Sequence, residues 1–229
     1  MTATGILTAP TDLARGRAVA REAGIVAALT FLHAELGGAL LPAGPSGHVF
    51  VPEGVARRCD TFSTPDGPRV RAGATERRLA EVRLGPDTMV ALSVPGGGPG
   101  GGPGGDGRPD AWSIGLGWVR LGLAERFLAQ AAEHLRGRRV QETVTLNLPP
   151  VRVLLADAAA GLAEAHALLA TGPDEAALYR THRALDEAGR VSLHLFGATG
   201  FLAEGPGSEI RAAELLGETY GPPCTEGVS

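Results

Sequence analysis

The chain has 229 residues, of which 44% are hydrophobic and only 4% aromatic, and its 25 acidic and 21 basic residues leave a net charge of −4. That charge offers no general attraction for nucleic acid or for an anionic membrane. Every basic residue is an arginine, which excludes the chemistries that need a lysine: phosphate-loop NTPases, pyridoxal-phosphate enzymes and protein kinases.

One helix is predicted near the amino terminus, inside a helical segment of residues 1–45. Alanine and leucine fill its middle, and Gly37-Gly38 followed by Pro42 is a typical end of a helix. The pattern predicts a helix over residues 11–41.

Residues 46–95 have a strand-like sequence pattern. Short segments that are β-branched or alternate between apolar and polar residues are separated by Pro-Glu-Gly, Pro-Asp-Gly and Gly-Pro-Asp turns. The pieces that read as strands are His48–Val51, Arg69–Arg71, Leu79–Leu84 and Met89–Val94. They predict a small antiparallel sheet of about four strands, which needs another element to pack against.

A low-complexity segment follows, GGGPGGGPGGDG at residues 96–107. It contains a Gly-x-Gly-x-x-Gly string, but a phosphate-binding loop would need a strand before the glycines and a helix directly after them. Arg-Pro-Asp follows instead. We therefore interpret residues 96–110 as a linker.

Beyond the linker, apolar residues recur at helical spacing in four successive segments. These segments are residues 112–137, 150–170, a third running to about 196, and 206–220. Gly172 closes the second helix, and Pro173 suits the first turn of the third. Short connections and single apolar stripes predict an antiparallel four-helix bundle over residues 111–221, with a tail at 222–229.

The fold class predicted from these elements is α+β and predominantly α: a carboxy-terminal four-helix bundle, a small antiparallel sheet and one amino-terminal helix. No stretch approaches the roughly 18 consecutive apolar residues of a membrane span. The two cysteines, Cys59 and Cys224, form no Cys-x-x-Cys pair. We therefore expect a cytoplasmic protein with no metal site and no contact with membrane or nucleic acid.

Three segments in the second half resemble motifs of the acyl-CoA dehydrogenase superfamily. RLGLAERFLAQAAEHLRGRR (120–139) looks like the family's first bundle helix, and VRVLLADAAAGLAEAHALL (151–169) is similar to the next, with its Leu-Ala-Asp-Met signature. HLFGATGFLAEGPGSEIRAA (194–213) looks like the Gln-x-x-Gly-Gly-x-Gly-Tyr segment. With a strand-like match at 75–91, the resemblance runs in order over residues 75–221.

The resemblance implies that FAD lies between a β-domain and the bundle, but the chain is too short for a complete family member. Arg138 falls on the family's flavin-diphosphate arginine, and the alternative is a solvated cation at a helix end. His194 falls on a glutamine position, and Gly197 and Gly200 on the glycine segment, whose alternative role is a helix-ending turn. We expect FAD binding to be weak or absent in the isolated chain.

The resemblance places the family's catalytic glutamate, which follows an Arg-Asp run by nine residues, at Tyr220, the ninth residue after Arg211. A free tyrosine has a pKa near ~10 and is a poor base at neutral pH. Glu218 is two residues away and points in another direction on a helix. His182 shares a helix face with Leu178 and Leu185, and is either an acid–base group or a hydrogen-bonded histidine at the edge of the core.

Three functions follow as hypotheses. The first is an acyl-CoA dehydrogenase-like subunit, truncated and with degenerate motifs, which is non-catalytic or depends on a partner in an acyl-thioester pathway. It would form a homodimer or a hetero-oligomer with a full-length homologue, and meet acyl-CoA or an acyl carrier. The second is a flavin-independent enzyme that uses His182, His194 or Tyr220 on a thioester or polyketide-like substrate. The third is a structural or carrier-binding module.

Overall fold

The computed structural model of the protein describes residues 10–64, 67–71, 76–94, 109–202 and 205–222. Most of the predicted linker and all but the first residue of the predicted tail lie outside these ranges. The described part contains six α-helices and eight short strands, and it is α+β and predominantly α, as the sequence predicts.

Helix α1 spans Pro10–Glu35 but is broken at Gly24, where the backbone has φ 82° and ψ −172°. A positive φ of this size is costly for any residue with a Cβ atom, which explains the glycine. The prediction of one helix was correct in place, but it missed the break. It also ran too far, because Leu41–Pro42 forms strand β1.

Glu209 caps the second half of α1 from a distant helix. Its Oε1 atom accepts a hydrogen bond from the Ile25 backbone N–H at 2.9 Å. The break at Gly24 leaves that N–H without a helical partner, and a carboxylate is well matched to the positive end of the new helix. A Cβ atom on Gly24 would lie 2.5 Å from the same carboxylate oxygen.

We expect Glu209→Ala to lower the free energy of unfolding by about 1–2 kcal/mol, the usual cost of losing a helix cap. Glu209→Gln keeps an oxygen acceptor for Ile25 and should lose less. Urea denaturation followed by circular dichroism measures both variants. Equal stability of wild type and Glu209→Ala would contradict this capping role.

Helix α1 packs along helix α3, which spans Ala111–Arg136. The two backbones approach so closely at Gly122 that a Cβ atom there would lie 2.2 Å from the Arg17 carbonyl oxygen. A two-point ion pair between Arg17 and Glu125 crosses the same contact. The amino-terminal helix is therefore part of the helical core and not an appendage.

The sheet region forms two small sheets, where the sequence predicts one sheet of about four strands. Its elements are β1, β2 (His48–Pro52), α2 (Glu53–Arg58), β3 (Thr61–Thr64), β4 (Gly67–Val70), β5 (Arg77–Leu84) and β6 (Asp87–Ser93). They form two three-stranded sheets, with orders β1-β3-β4 and β2-β6-β5. Their pairs are antiparallel except that of β1 with β3, which is parallel.

Strand β2 carries the sheet region onto the helices. Phe50 is buried in the main core with the helices, whereas Val49 and Val51 belong to a second, smaller core. This alternation follows from the two-residue period of a strand. The sheet β2-β6-β5 therefore separates the two cores, which gives it the support that a sheet of this size needs.

The bundle helices follow the prediction closely. After α3 come the two-residue strands β7 (Arg139–Val140) and β8 (Thr143–Val144), then α4 (Pro149–Ala170), α5 (Glu175–Phe196) and α6 (Gly207–Tyr220). Asp110 and Asp174 cap α3 and α5 by accepting backbone N–H bonds at 2.7 Å. Gly197, with φ 57°, ends α5.

Helix α4 has two apolar faces. Ala158, Leu162, Ala165 and Leu169 are buried against the bundle. A second stripe, spaced alternately by three and four residues, is exposed: Val153, Ala156, Ala160, Ala163, Ala167 and Ala170. By length and composition alone α4 could cross a bilayer, a possibility that the sequence analysis did not anticipate. Only 22% of the apolar window is buried inside the protein, so burial in the core does not by itself account for its composition.

Candidate functional site

A cavity of about 440 Å³ lies between α5, the end of α6 and the turn before β2. Its walls come from Pro45, Ser46, Tyr179, His182, Arg183, Asp186, Arg190, Gly217, Glu218, Gly221 and Pro222. Two residues predicted to be catalytic, His182 and Glu218, therefore meet at one cavity. Helical spacing explains the α5 wall, because residues 179, 182, 183, 186 and 190 share one face.

Beneath the cavity, Arg120 of α3 is fully enclosed, with only 2% of its surface exposed. Its Nε donates to the Ala213 carbonyl at 2.9 Å, one Nη donates to His182 Nδ1, and the other pairs with the Asp186 carboxylate. A buried guanidinium needs this full set of acceptors, because an unpaired cation in the core is strongly unfavourable.

The arginine determines the protonation of His182. A guanidinium has no acceptor, so Nδ1 must accept, and the ring proton therefore lies on Nε2. Burial, and then the charge of Arg120, hold the pKa of His182 well below its usual value. The imidazole is thus neutral at physiological pH, with a single N–H donor.

Glu218 stands at the cavity rim on α6, exposed to solvent. The preceding residue, Gly217, passes directly over the buried arginine, and a Cβ atom there would lie 2.5 Å from the Arg120 guanidinium. The glycine is therefore required for α6 to close over Arg120. This close approach also sets the position of Glu218 at the rim.

Tyr220, the third residue predicted to be catalytic, is buried at the contact between α6 and β2. Its hydroxyl accepts the Phe50 backbone N–H at 2.9 Å, and the carbonyl oxygens of Phe50 and Pro42 lie 3.3 Å away as acceptors. Its ring and that of Trp112 pack edge to face, with centroids 5.5 Å apart. Burial raises the pKa of Tyr220 above its ordinary value, so the hydroxyl stays protonated, and its hydrogen bonds to Phe50 and Pro42 give it a structural role.

We expect Tyr220→Phe to lower the free energy of unfolding by about 1–3 kcal/mol. The substitution keeps the ring against Trp112 but leaves the buried Phe50 N–H without an acceptor. Chemical denaturation of the two proteins tests this. If Tyr220→Phe is as stable as wild type, the hydroxyl does not hold α6 to the sheet.

The residues predicted to bind the cofactor lie at the opposite end of the bundle. The Arg138 guanidinium is exposed and sits 3.4 Å from His134 Nε2, which is 3.4 Å from Thr199 Oγ1. Thr199 lies in the 3₁₀ turn Gly197–Phe201. The structure therefore brings Arg138 and the glycine segment together, although they are far apart in sequence.

The remaining predicted positions at this end have different surroundings. His194 is exposed in the last turn of α5. Gly200 is buried, and a Cβ atom there would lie 2.9 Å from Leu193 Cδ1, so its glycine serves local packing. His194 and His182 are separated by 12 residues of α5, or about 18 Å along the helix. The predicted residues thus form two groups at two ends.

Two solved structures share this architecture. A variant of the steroid acyl-CoA dehydrogenase Tcur3481-Tcur3483 superposes with a TM-score of 0.51 and 16% identity, over 90% of this chain and 70% of that one. The ChsE4-ChsE5 complex from Mycobacterium tuberculosis gives a TM-score of 0.50 and 19% identity, over 93% and 70%. The chain has the acyl-CoA dehydrogenase fold. No protein-family model and no curated protein matches the sequence.

The acyl-CoA dehydrogenase fold implies FAD, and the predicted residues fit it only in part. Arg138 supplies an exposed guanidinium, in contact with His134, whose geometry suits a diphosphate, and the turn that begins at Gly197 offers backbone close to the surface. However, Arg138, His194 and the nearby Glu142 are all exposed, and the carboxylate opposes an anionic cofactor. These exposed residues do not enclose a dinucleotide site.

Sequence reasoning missed Arg120 and Asp186, the two residues that control His182. A signal was present: Arg120 interrupts the apolar run Trp118–Leu123, where an isolated charge predicts a buried ion pair. Asp186 lies one helical turn after His182 and so faces the same way. In the described ranges, no cluster of three or more metal-ligating side chains occurs.

Proposed function

We propose that this chain is an acyl-CoA dehydrogenase-like subunit that acts in an acyl-thioester pathway beside a full-length homologue, which completes the flavin site. The observation that carries this proposal is the combination of the fold with two predicted cofactor-binding residues, Arg138 and His194, that are exposed to solvent. Arg138 and Gly197 stand where a second chain can reach them.

The exposed stripe of α4 is the surface we assign to that partner. In this stripe, small apolar side chains repeat at alternating intervals of three and four residues, beginning at Val153 and ending at Ala170. Such spacing keeps one face of a helix toward another helix along its whole length. We propose that a helix of the partner's bundle packs here.

The end of the bundle that carries Arg138 and the turn Gly197–Phe201 has a second exposed apolar surface. Phe201 and Leu202 are 75% and 61% exposed directly after the glycine segment. Large apolar side chains exposed together commonly mark an interaction surface. Their position beside Gly200 supports a partner that contacts the chain where the cofactor would lie.

The comparisons support a partner of related structure. One of the two solved structures is a complex of two differently named chains, ChsE4 and ChsE5. By analogy, we propose that the present chain pairs with a second acyl-CoA dehydrogenase-like chain, that FAD is held largely by that chain, and that both are cytoplasmic.

Co-expression with full-length acyl-CoA dehydrogenase homologues from the source organism tests the pairing. We expect one of them to co-purify with the chain. Ala160→Glu combined with Ala163→Glu should abolish co-purification, because two carboxylates would be buried in the helix contact. Both alanines are exposed, so the folded chain should tolerate the changes.

Ala176→Glu is the control for a surface charge outside the stripe, since it places one carboxylate, where the double variant places two, on an exposed alanine of α5. It should leave the complex intact. The proposal fails if none of the homologues co-purifies, or if the double variant binds its partner as well as wild type does.

A second candidate function is favoured by the cavity at His182. Glu218 is exposed at its rim as a candidate base, and the neutral imidazole of His182 lies in its wall. This combination supports a flavin-independent enzyme that acts on a carbonyl compound. Such an enzyme would work in the isolated chain, which distinguishes it from a partner-dependent subunit.

A further inference from the structure

Helix α4 leaves most of its apolar surface uncovered. Its most apolar 18 residues have a mean hydropathy of 1.5, and its buried residues, such as Leu162 and Ala165, occupy one side only. The exposed stripe, which runs from Val153 to Ala170, lies on the opposite side. A continuous apolar surface of this length is unfavourable in water and commonly marks a contact with another molecule.

The spacing of the exposed stripe fits a second helix. Its members alternate at intervals of three and four residues, which is the a and d pattern of a two-stranded coiled coil. All of them except Val153 are alanines, so the backbones of two such helices can approach closely along the whole stripe. We therefore expect α4 to be covered by another helix with small contact residues.

The two edges of the exposed stripe carry different charges. Asp157 and Glu164 follow the edge that faces α5, where Glu164 forms an ion pair with an α5 arginine. Arg152 is on the edge that faces α3, which is marked by the ring contact of His166 with Trp118, with centroids 5.5 Å apart. One edge is therefore acidic, and the other carries a cation.

Arg152 and Asp157 are the two charges on these edges that remain free for a partner. Both are exposed, and neither side chain has a hydrogen bond or an ion pair in the part of the chain that the structure describes. They are five residues apart and do not face each other on one helix. In a parallel helix pair, however, a flanking residue lies beside the residue five positions further along the other helix. Arg152 of one copy would then meet Asp157 of another, and two-fold symmetry makes that contact twice.

The same charges disfavour an antiparallel pair. If one helix is turned end for end with the stripes still in contact, the acidic edge of one copy lies against the acidic edge of the other. Asp157 and Glu164 of both copies would then face one another, which is unfavourable. Helix α4 is therefore complementary to a second α4 in the parallel orientation.

We propose that two copies of the isolated chain pair through α4, with the helices parallel, the exposed stripes in contact and Arg152 of each copy against Asp157 of the other. An interface of one helix a side is small, so the dimer is reversible. The second copy occupies the face assigned above to the homologue and competes with it. The inference rests on α4 alone and needs neither the flavin site nor the homologue.

Sedimentation velocity of the isolated chain at micromolar concentrations tests the pairing by charge reversal. We expect a dimer, and Arg152→Glu should weaken it at least about tenfold, because two attractions become two repulsions. Asp157→Arg should do the same. An equimolar mixture of the two variants should regain the dimer, since every contact is again between opposite charges.

Arg183→Glu is the matched control, because Arg183 is an exposed arginine of α5, outside the stripe. It should leave the dimer as stable as that of wild type. All three substitutions are at exposed positions, so the folded chain should tolerate them, and circular dichroism verifies that each variant is folded.

Cysteine cross-linking tests the orientation. In a Cys224→Ser background, Val153→Cys and Ala170→Cys place a thiol at either end of the exposed stripe, while Cys59 is buried. In a parallel pair, each variant forms a disulfide between its own two copies under mild oxidation. Disulfides that form only when the two variants are mixed would show an antiparallel pair and contradict the proposal.

Other outcomes also decide against self-pairing. The proposal is wrong if the isolated chain stays monomeric, if Arg152→Glu dimerises as tightly as wild type, or if the mixture of charge variants stays monomeric. A monomer that binds phosphatidylcholine vesicles, and loses that binding in Ala160→Glu, would identify a lipid surface as the occupant. Only the isolated chain is used, so failure of a homologue to co-purify leaves these results unaffected.

Discussion

Replacing Asp186 with asparagine is expected to lower the free energy of unfolding by about 3 kcal/mol. The amide can still accept a hydrogen bond from Arg120, but the guanidinium, 2% exposed, loses its paired charge. Removing one member of a buried pair typically costs about 3–5 kcal/mol, because a charge is left uncompensated in the core. Glu214 and Glu218 act on Arg120 at longer range, which favours the lower end of that range.

Glu187→Gln is the matched control for Asp186→Asn. Glu187 is the next residue of α5 and is also paired with an arginine, but both partners are exposed. Exposed pairs contribute little, so this change should alter the free energy of unfolding by less than about 0.5 kcal/mol. Urea denaturation of both variants decides the point. Equal losses in the two proteins would show that the Arg120–Asp186 pair is not a special feature of the core.

Acid should destabilise the protein below about pH 6.5 through its buried histidines. Burial lowers the pKa of His182 and of His33, so in this range the unfolded chain binds protons that the folded chain does not. Stability is therefore complete above the unfolded pKa of about 6.5 and falls as the pH drops. Each such histidine contributes a slope of about 1.4 kcal/mol per pH unit until its folded pKa is reached.

His182→Gln and His33→Gln separate the two contributions. Glutamine offers Arg120 an acceptor oxygen in place of Nδ1 but does not titrate. We expect each variant to weaken the pH dependence of the free energy of unfolding below about pH 6.5, and His182→Gln to do so over the wider pH range, because the pKa of His182 is the one lowered well below its usual value. An unchanged slope in His182→Gln would mean that His182 takes up a proton in the folded protein despite its contact with Arg120.

The bundle could be predicted from sequence because its signals are local. Capping aspartates, Gly172 and the apolar stripes each act within a few residues, and the helices begin and end close to the predicted positions. The break at Gly24 could not be predicted in this way. A glycine inside a helical pattern is usually tolerated, and the carboxylate that stabilises the break comes from Glu209, far along the chain.

The predicted site residues show the same contrast between local signals, which the sequence reveals, and long-range contacts, which it does not. The roles of Arg138, His194 and Glu218 were assigned by their order along the chain, which cannot say which residues meet. His182 and Glu218 line one cavity, whereas Arg138 lies near Thr199 at the other end. The state of His182 depends on Arg120 of another helix, a contact that no periodicity encodes.

Flavin content is the most direct test of the central claim that this fold needs a second chain to hold its cofactor. The chain is purified alone and in complex with a co-expressed homologue, and bound flavin is measured from the absorption spectrum after release by denaturation. We predict a colourless isolated chain and a yellow complex. Stoichiometric FAD bound to the isolated chain would contradict the claim.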